Sequence, residues 1–172
     1  APRSDPLRAG RGVGARADHR RGRGSGGGVL TTWIIGKTNR FAAAAAAKPV
    51  INWISEVLYA DLTAFATQYW FDAPPWEDVQ EYWRRSPLSI VGSVETPTLL
   101  ITGEQDLRTP MAESEQYYHA LKLRQVDTML VRIPEASHSI YARPSHLIAK
   151  VANIVAWFEK YRDKPTGEEV SR

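Results

Sequence analysis

Three side chains in this sequence have the types and the order needed for nucleophilic attack on an amide or ester. Asp106 follows Ser25 by 81 residues, and His138 follows Asp106 by a further 32. A serine hydroxyl becomes an effective nucleophile only when an imidazole takes its proton, and a carboxylate must hold that imidazole in the right tautomer. The three residues therefore predict acyl-transfer chemistry.

The segments before these residues explain how they could meet. The apolar run 98–102 ends in Gly-Glu-Gln-Asp106, and the run 129–133 ends in Pro-Glu-Ala-Ser-His138. Both residues are therefore expected just beyond the carboxyl ends of strands, at the edge where open α/β sheets collect functional side chains. Ser25 lies in a predicted glycine turn ahead of a helix, and the order Ser, Asp, His is that of α/β-hydrolases.

Hydrophobic periodicity predicts alternating strands and helices, with about three parallel strands joined by crossovers and flanked by helices. The expected strands are 41–47, 98–102 and 128–133. The expected helices cover residues 29–35 with Gly36 as the stop, much of 50–71, and the ranges 77–84, 111–123 and 145–161. The last helix should face the sheet with an apolar stripe. That stripe comprises Leu147, Val151, Ile154, Val155 and Phe158.

Composition divides the chain into three parts. Residues 1–28 hold 8 of the 12 glycines and 7 arginines but hardly any large apolar residue, so we expect a leader that cannot form a core. Residues 29–162 form the predicted folded domain, and residues 163–172 a disordered tail. The abrupt change near Gly26 motivates a further hypothesis, that the leader is an out-of-frame or wrongly started translation. RNA binding by this Arg/Gly segment is an alternative, although no aromatic residues are interleaved with the arginines.

Charge and composition also limit the function classes. The formal net charge of +3 comes from the leader, because residues 29–172 hold 15 basic and 17 acidic residues. We therefore expect no nucleic-acid partner for the domain, and no membrane association, since no apolar run is long enough for a span or a signal. The sequence favours a soluble, cytoplasmic protein. The absence of cysteine excludes disulfides and thiolate metal ligands.

Other residues that could take part in chemistry have simpler interpretations. Structural or solvated roles suffice for His19, His119 and His146. Four aromatic residues could line a substrate pocket, but aromatic residues in such number are more often core. They are Trp53, Tyr59, Trp70 and Trp76.

From residue 27 to residue 162 the sequence resembles the C-terminal part of the catalytic domain of prolyl-oligopeptidase-family serine peptidases, closest to their acylaminoacyl-peptidase-like branch. The resemblance rests on several stretches that occur in order. They are Gly27-Gly28, Trp33-Ile34-Ile35-Gly36, Thr38-Asn39-Arg40-Phe41, Asn52-Trp53-Ile54-Ser55, Pro74-Pro75-Trp76-Glu77, Tyr82-Trp83, Ser86-Pro87-Leu88, Thr96-Pro97-Thr98-Leu99-Leu100, Gly103-Glu104-Gln105-Asp106 and His138.

The resemblance implies an α/β-hydrolase fold without its N-terminal strands and without the family's β-propeller. It implies Ser25 as nucleophile, Asp106 as orienting carboxylate, His138 as general base and the Gly26 N–H as an oxyanion donor, with no metal or cofactor. The substrates implied are short or N-blocked peptides. The family's serine turn normally begins with glycine where this sequence has Arg23, so a non-catalytic fragment or interaction module remains an alternative. An unpaired strand edge would favour a homo-oligomer.

Overall fold

The structure is a computed structural model that describes residues 24–163, in which helices alternate with the strands of one sheet. The helices are α1 (Gly24–Ile35), α2 (Trp53–Tyr59), α3 (Thr63–Tyr69), α4 (Val79–Arg85), α5 (Met111–Leu123) and α6 (Pro144–Lys160). The strands are β1 (Ala44–Ala47), β2 (Thr98–Gly103) and β3 (Thr128–Ile133), and short 3-10 helices cover Pro87–Ser93 and Ile140–Ala142. The predicted leader up to residue 23 and the predicted tail from residue 164 lie outside the described residues.

The sheet has the strand order β1-β2-β3, and both pairs of strands are parallel. The central strand β2 is buried along its whole length, which suits its continuous apolar sequence because helices cover both faces of such a sheet. On one face, residues of α1 and α5 pack against Leu100 and alternate alanines of β1. On the other face, α6 packs against Leu99 and Ile101. The expected α/β architecture with three parallel strands is confirmed.

Helix α1 begins earlier than predicted. The glycine turn expected at residues 24–28 is the first part of the helix, which then ends at Ile35 before the predicted stop, Gly36. Glycine is needed at position 28 for packing, because a Cβ there would lie 2.6 Å from the Ala47 carbonyl oxygen and 2.8 Å from the Pro49 Cα. This close approach places the start of α1 against the carboxyl end of β1.

Helix α6 faces the core with only part of the predicted stripe. Trp157 and Tyr161 are buried, and Ile154 and Phe158 pack beside them on the core. Three members of the predicted stripe, Leu147, Val151 and Val155, are exposed. The side of the helix that faces the sheet is therefore centred on Trp157, whose large ring adds to the apolar area buried by Ile154 and Phe158.

The aromatic residues between β1 and β2 are less buried than expected. The rings of Trp53 and Trp70 pack edge to face, with their centroids 5.4 Å apart. Tyr59, Trp70 and Trp76 are nevertheless exposed, so the core interpretation is wrong for these three residues. In the part of the chain that the structure describes, no helix is long and apolar enough to cross a membrane.

Candidate functional site

Asp106 and His138 form a hydrogen-bonded pair at the carboxyl edge of the sheet. His138 Nδ1 lies 3.0 Å and 2.9 Å from the two carboxylate oxygens of Asp106. The Asp106 side chain is fully buried, whereas the His138 side chain is 28% exposed. Since an ionised carboxylate can only accept, the proton must be on Nδ1, and this leaves the Nε2 lone pair free to act as a base.

The loop after β2 holds the Asp106 carboxylate in place. Its Oδ1 accepts the N–H groups of Arg108 and Thr109, both at 2.9 Å, and its Oδ2 accepts the Thr109 hydroxyl at 3.1 Å. The Thr109 hydroxyl also lies 3.3 Å from His138 Nδ1. The sequence prediction did not include Thr109, although Asp followed by loop residues whose N–H groups bond back to its side chain is a common turn pattern.

The loops after β2 and β3 are locked together by main-chain contacts. The Gln105 N–H donates to the Ala136 carbonyl oxygen at 2.9 Å, and the Glu104 N–H donates to the Ile133 carbonyl oxygen at 3.0 Å. Position 103 has no room for a side chain, because a Cβ there would overlap the Ala136 carbonyl group. The two loops therefore fix the Asp106–His138 geometry as one rigid unit.

Ser25 is half-buried in the first turn of α1. It lies one turn before Gly28, on the same side of the helix, so it is at the carboxyl edge of the sheet, as is the Asp106–His138 pair. Among residues 24–163, no hydrogen bond joins the Ser25 hydroxyl to the His138 imidazole. In the described part of the chain, the non-glycine residues with a left-handed backbone are Lys48, Gln125 and Glu135, and Ser25 is not among them.

Two buried carboxyl groups under this edge were not predicted from the sequence. Glu113 of α5 accepts the N–H groups of Ile51 and Asn52, both at 2.8 Å, and the hydroxyl of Ser55. Burial raises the pKa of Glu113, and the hydrogen bonds from Ser55, Asn52 and Ile51 offset part of that rise. Glu113 thereby fixes the start of α2 against α5.

Glu56 of α2 is 1% exposed, and within the described residues neither of its carboxyl oxygens has a hydrogen-bond partner. Burial raises the pKa of Glu56 to about 9, with further increases from the charges of Glu113, Asp106 and Asp61 and a partial decrease from Arg108. At neutral pH its side chain is therefore a neutral carboxylic acid. No sequence pattern indicated this, because the surrounding short helices have no clear periodicity.

Between residues 24 and 163, no group of three or more His, Asp or Glu side chains is arranged to hold a metal ion.

A sequence profile of the prolyl oligopeptidase family matches residues 22–165. The chain belongs to the prolyl oligopeptidase family. This confirms the family expected from the sequence, in which serine peptidases share an α/β-hydrolase catalytic domain.

Individual prolyl oligopeptidase family members agree with this assignment. The uncharacterized peptidase YuxL of Bacillus subtilis (strain 168) is 40% identical over 140 residues, which make up 80% of this chain and 21% of that protein. The acylamino-acid-releasing enzyme of Arabidopsis thaliana is 38% identical over 146 residues, with 80% and 19% covered. The uncomplexed structure of Pyrococcus horikoshii acylaminoacyl peptidase superimposes with a TM-score of 0.74 at 25% identity, covering 80% of this chain and 23% of that one. The chain thus spans about a fifth of the length of these relatives.

Proposed function

We propose that this chain carries the acyl-transfer residues of a serine peptidase, with Ser25 as nucleophile, His138 as general base and Asp106 as the carboxylate that orients it. The observation that carries the proposal is the Asp106–His138 pair. It combines a fully buried acceptor with a partly exposed imidazole at the edge of the sheet where α1 begins.

The reaction follows from which atoms are free. His138 Nδ1 is bound to Asp106, so Nε2 takes the proton of Ser25 Oγ while that oxygen bonds to the acyl carbon of the substrate. Collapse of the tetrahedral intermediate breaks the C–N bond, and the departing amine takes the proton from Nε2. Water then attacks the acyl-enzyme by the same proton transfer and releases the acid, which regenerates Ser25.

Negative charge on the intermediate would be met by the start of α1. The first four N–H groups of a helix have no intrahelical acceptor, and Gly26 is one of these residues. Gly26 is exposed, and a Cβ added there would have no heavy atom of the described residues within 4 Å, so this side of the first turn is open. Removal of one such donor typically costs about 10²- to 10³-fold in kcat.

Short or N-acylated peptides are the proposed substrates. Support comes from the acylamino-acid-releasing enzyme of Arabidopsis thaliana and the acylaminoacyl peptidase of Pyrococcus horikoshii, whose names describe release of an acylated residue. An N-acetyl-alanine p-nitroanilide should therefore be cleaved faster than the same anilide with a free amino group. Equal rates for the two anilides would argue against this substrate class.

Labelling with a fluorophosphonate tests the nucleophile, because the attacking serine oxygen forms a P–O bond and fluoride leaves. We expect the wild-type chain and the control Ser93→Ala, at an exposed serine, to be labelled, and Ser25→Ala to be unlabelled. Labelling that persists in Ser25→Ala would refute the assignment. A wild-type chain that is folded but unlabelled would instead support the non-catalytic alternative, which the missing Ser25–His138 hydrogen bond favours.

A further inference from the structure

Lys48 has a backbone and a position that are unusual for a lysine. It directly follows β1, it has a left-handed φ of 51°, and it is only 4% exposed. Residues other than glycine, asparagine and aspartate rarely adopt this backbone conformation. A buried ammonium group also requires polar partners. Such a residue persists only where the surrounding structure holds it, and such positions cluster at functional sites.

The side chain of Lys48 reaches the loop that carries His138. Its Nζ donates to the His138 carbonyl oxygen at 2.9 Å. Strand β2 lies between β1 and β3, so this bond crosses the end of the central strand and joins the two outer strands of the sheet. The ammonium group binds the main chain of His138, whereas the imidazole is bound by Asp106.

The backbone beside Lys48 supports the helix that carries Ser25. Gly28 packs directly on Ala47 and Pro49, the two neighbours of Lys48. Ser25 lies one turn earlier on the same side of α1. The segment 47–49 is therefore in contact with the Ser25 helix through its backbone and with the His138 loop through the Lys48 side chain.

We propose that Lys48 is a positioning residue that sets the separation between the Ser25 hydroxyl and the His138 imidazole. The inference rests on the proposed function, since it concerns the same nucleophile and base. Loss of the ammonium group would release the His138 carbonyl and let the loop after β3 move relative to α1. The Asp106–His138 bond would survive, because main-chain contacts between the two loops hold it independently.

The test compares Lys48→Met, which keeps the aliphatic length without the donor, with Lys48→Arg, which restores a donor, and Lys48→Gly, which suits the left-handed backbone without the donor. Lys122→Met removes an exposed lysine and is the charge control. The first readout is the rate of fluorophosphonate labelling. We expect at least a tenfold loss in Lys48→Met and Lys48→Gly, partial recovery in Lys48→Arg and no change in the control.

The second readout does not depend on activity. Amide hydrogen exchange of residues 139–142 should accelerate at least tenfold in Lys48→Met, while β2 exchanges as in the wild type and the His138 Nδ1 proton keeps its downfield NMR resonance. Unchanged hydrogen exchange of this loop in Lys48→Met would overturn the proposal. A labelling loss in Lys48→Met would also overturn it if that loss tracks the unfolded fraction in urea, or if Lys48→Gly does not show the same loss. If the wild type is unlabelled but the loop still loosens in Lys48→Met, the proposed function fails while the positioning of the loop by Lys48 stands.

Discussion

The buried carboxyl group of Glu56 should make this protein less stable as the pH rises. Its pKa is about 9 in the folded chain against an ordinary value of 4.5. Below pH 4.5 both the folded and the unfolded chain hold the proton. Between the two pKa values only the folded chain holds it, so the free energy of unfolding falls with increasing pH, and above pH 9 the loss levels off.

The magnitude follows from the pKa difference. Each pKa unit corresponds to about 1.36 kcal/mol, and pH 7 lies about 2.5 units above the ordinary pKa of 4.5. At pH 7 the buried Glu56 therefore lowers the free energy of unfolding by about 3 kcal/mol, relative to its value at low pH. Glu56→Gln keeps the shape and removes the titration. We therefore expect the variant to match the wild type near pH 4.5 and to exceed it by about 3 kcal/mol at pH 7.

Urea unfolding followed by tryptophan fluorescence at several pH values measures this difference. Glu77→Gln, at an exposed glutamate, is the matched control and should follow the wild-type profile. The reasoning is refuted if the wild type and Glu56→Gln give parallel profiles between about pH 5 and 9, since a constant offset would mean that Glu56 does not titrate differently in the two states.

Three further variants test the framework of the site. Gly103→Ala should lower the free energy of unfolding by about 1 to 3 kcal/mol in urea titrations, because its Cβ overlaps the loop after β3, whereas Gly92→Ala, in open space, should leave the midpoint nearly unchanged. Asp106→Asn should slow fluorophosphonate labelling by about 10³- to 10⁴-fold at unchanged stability, since an amide no longer enforces the imidazole tautomer, and wild-type labelling would exclude its orienting role. Glu113→Ala leaves two N–H groups at the start of α2 without acceptors and should cost about 2 to 4 kcal/mol, with faster exchange of those amides. Equal losses in Glu115→Ala, a less buried glutamate of the same helix, would contradict that explanation.

The strands and the Asp106–His138 pair could be predicted because their signals are local. Each lies at the end of an apolar run, and parallel strands bring their carboxyl ends to one edge. Helix α5 and strand β3 begin and end where the periodicity placed them.

The remaining features depend on contacts between distant parts of the chain. Gly28 packs closely against the segment after β1, a contact that the glycine-rich sequence does not indicate. The buried face of α6 depends on Trp157 and Tyr161, which share it with Ile154 and Phe158 of the predicted stripe. Lys48 and Glu56 are both buried. Residue type alone predicts the opposite, since lysine and glutamate usually lie at the surface.

The contact between Gly103 and Ala136 should also restrict which substitutions these two positions tolerate. Any side chain at position 103 occupies the space of the Ala136 carbonyl group, so a change there is tolerated only if the backbone at 136 moves with it. In a family alignment, the positions of Gly103 and Ala136 should therefore vary together or not at all. Gly103 lies three residues before Asp106, and Ala136 lies two residues before His138. The two short motifs would then change only together, even though 32 residues separate Asp106 from His138.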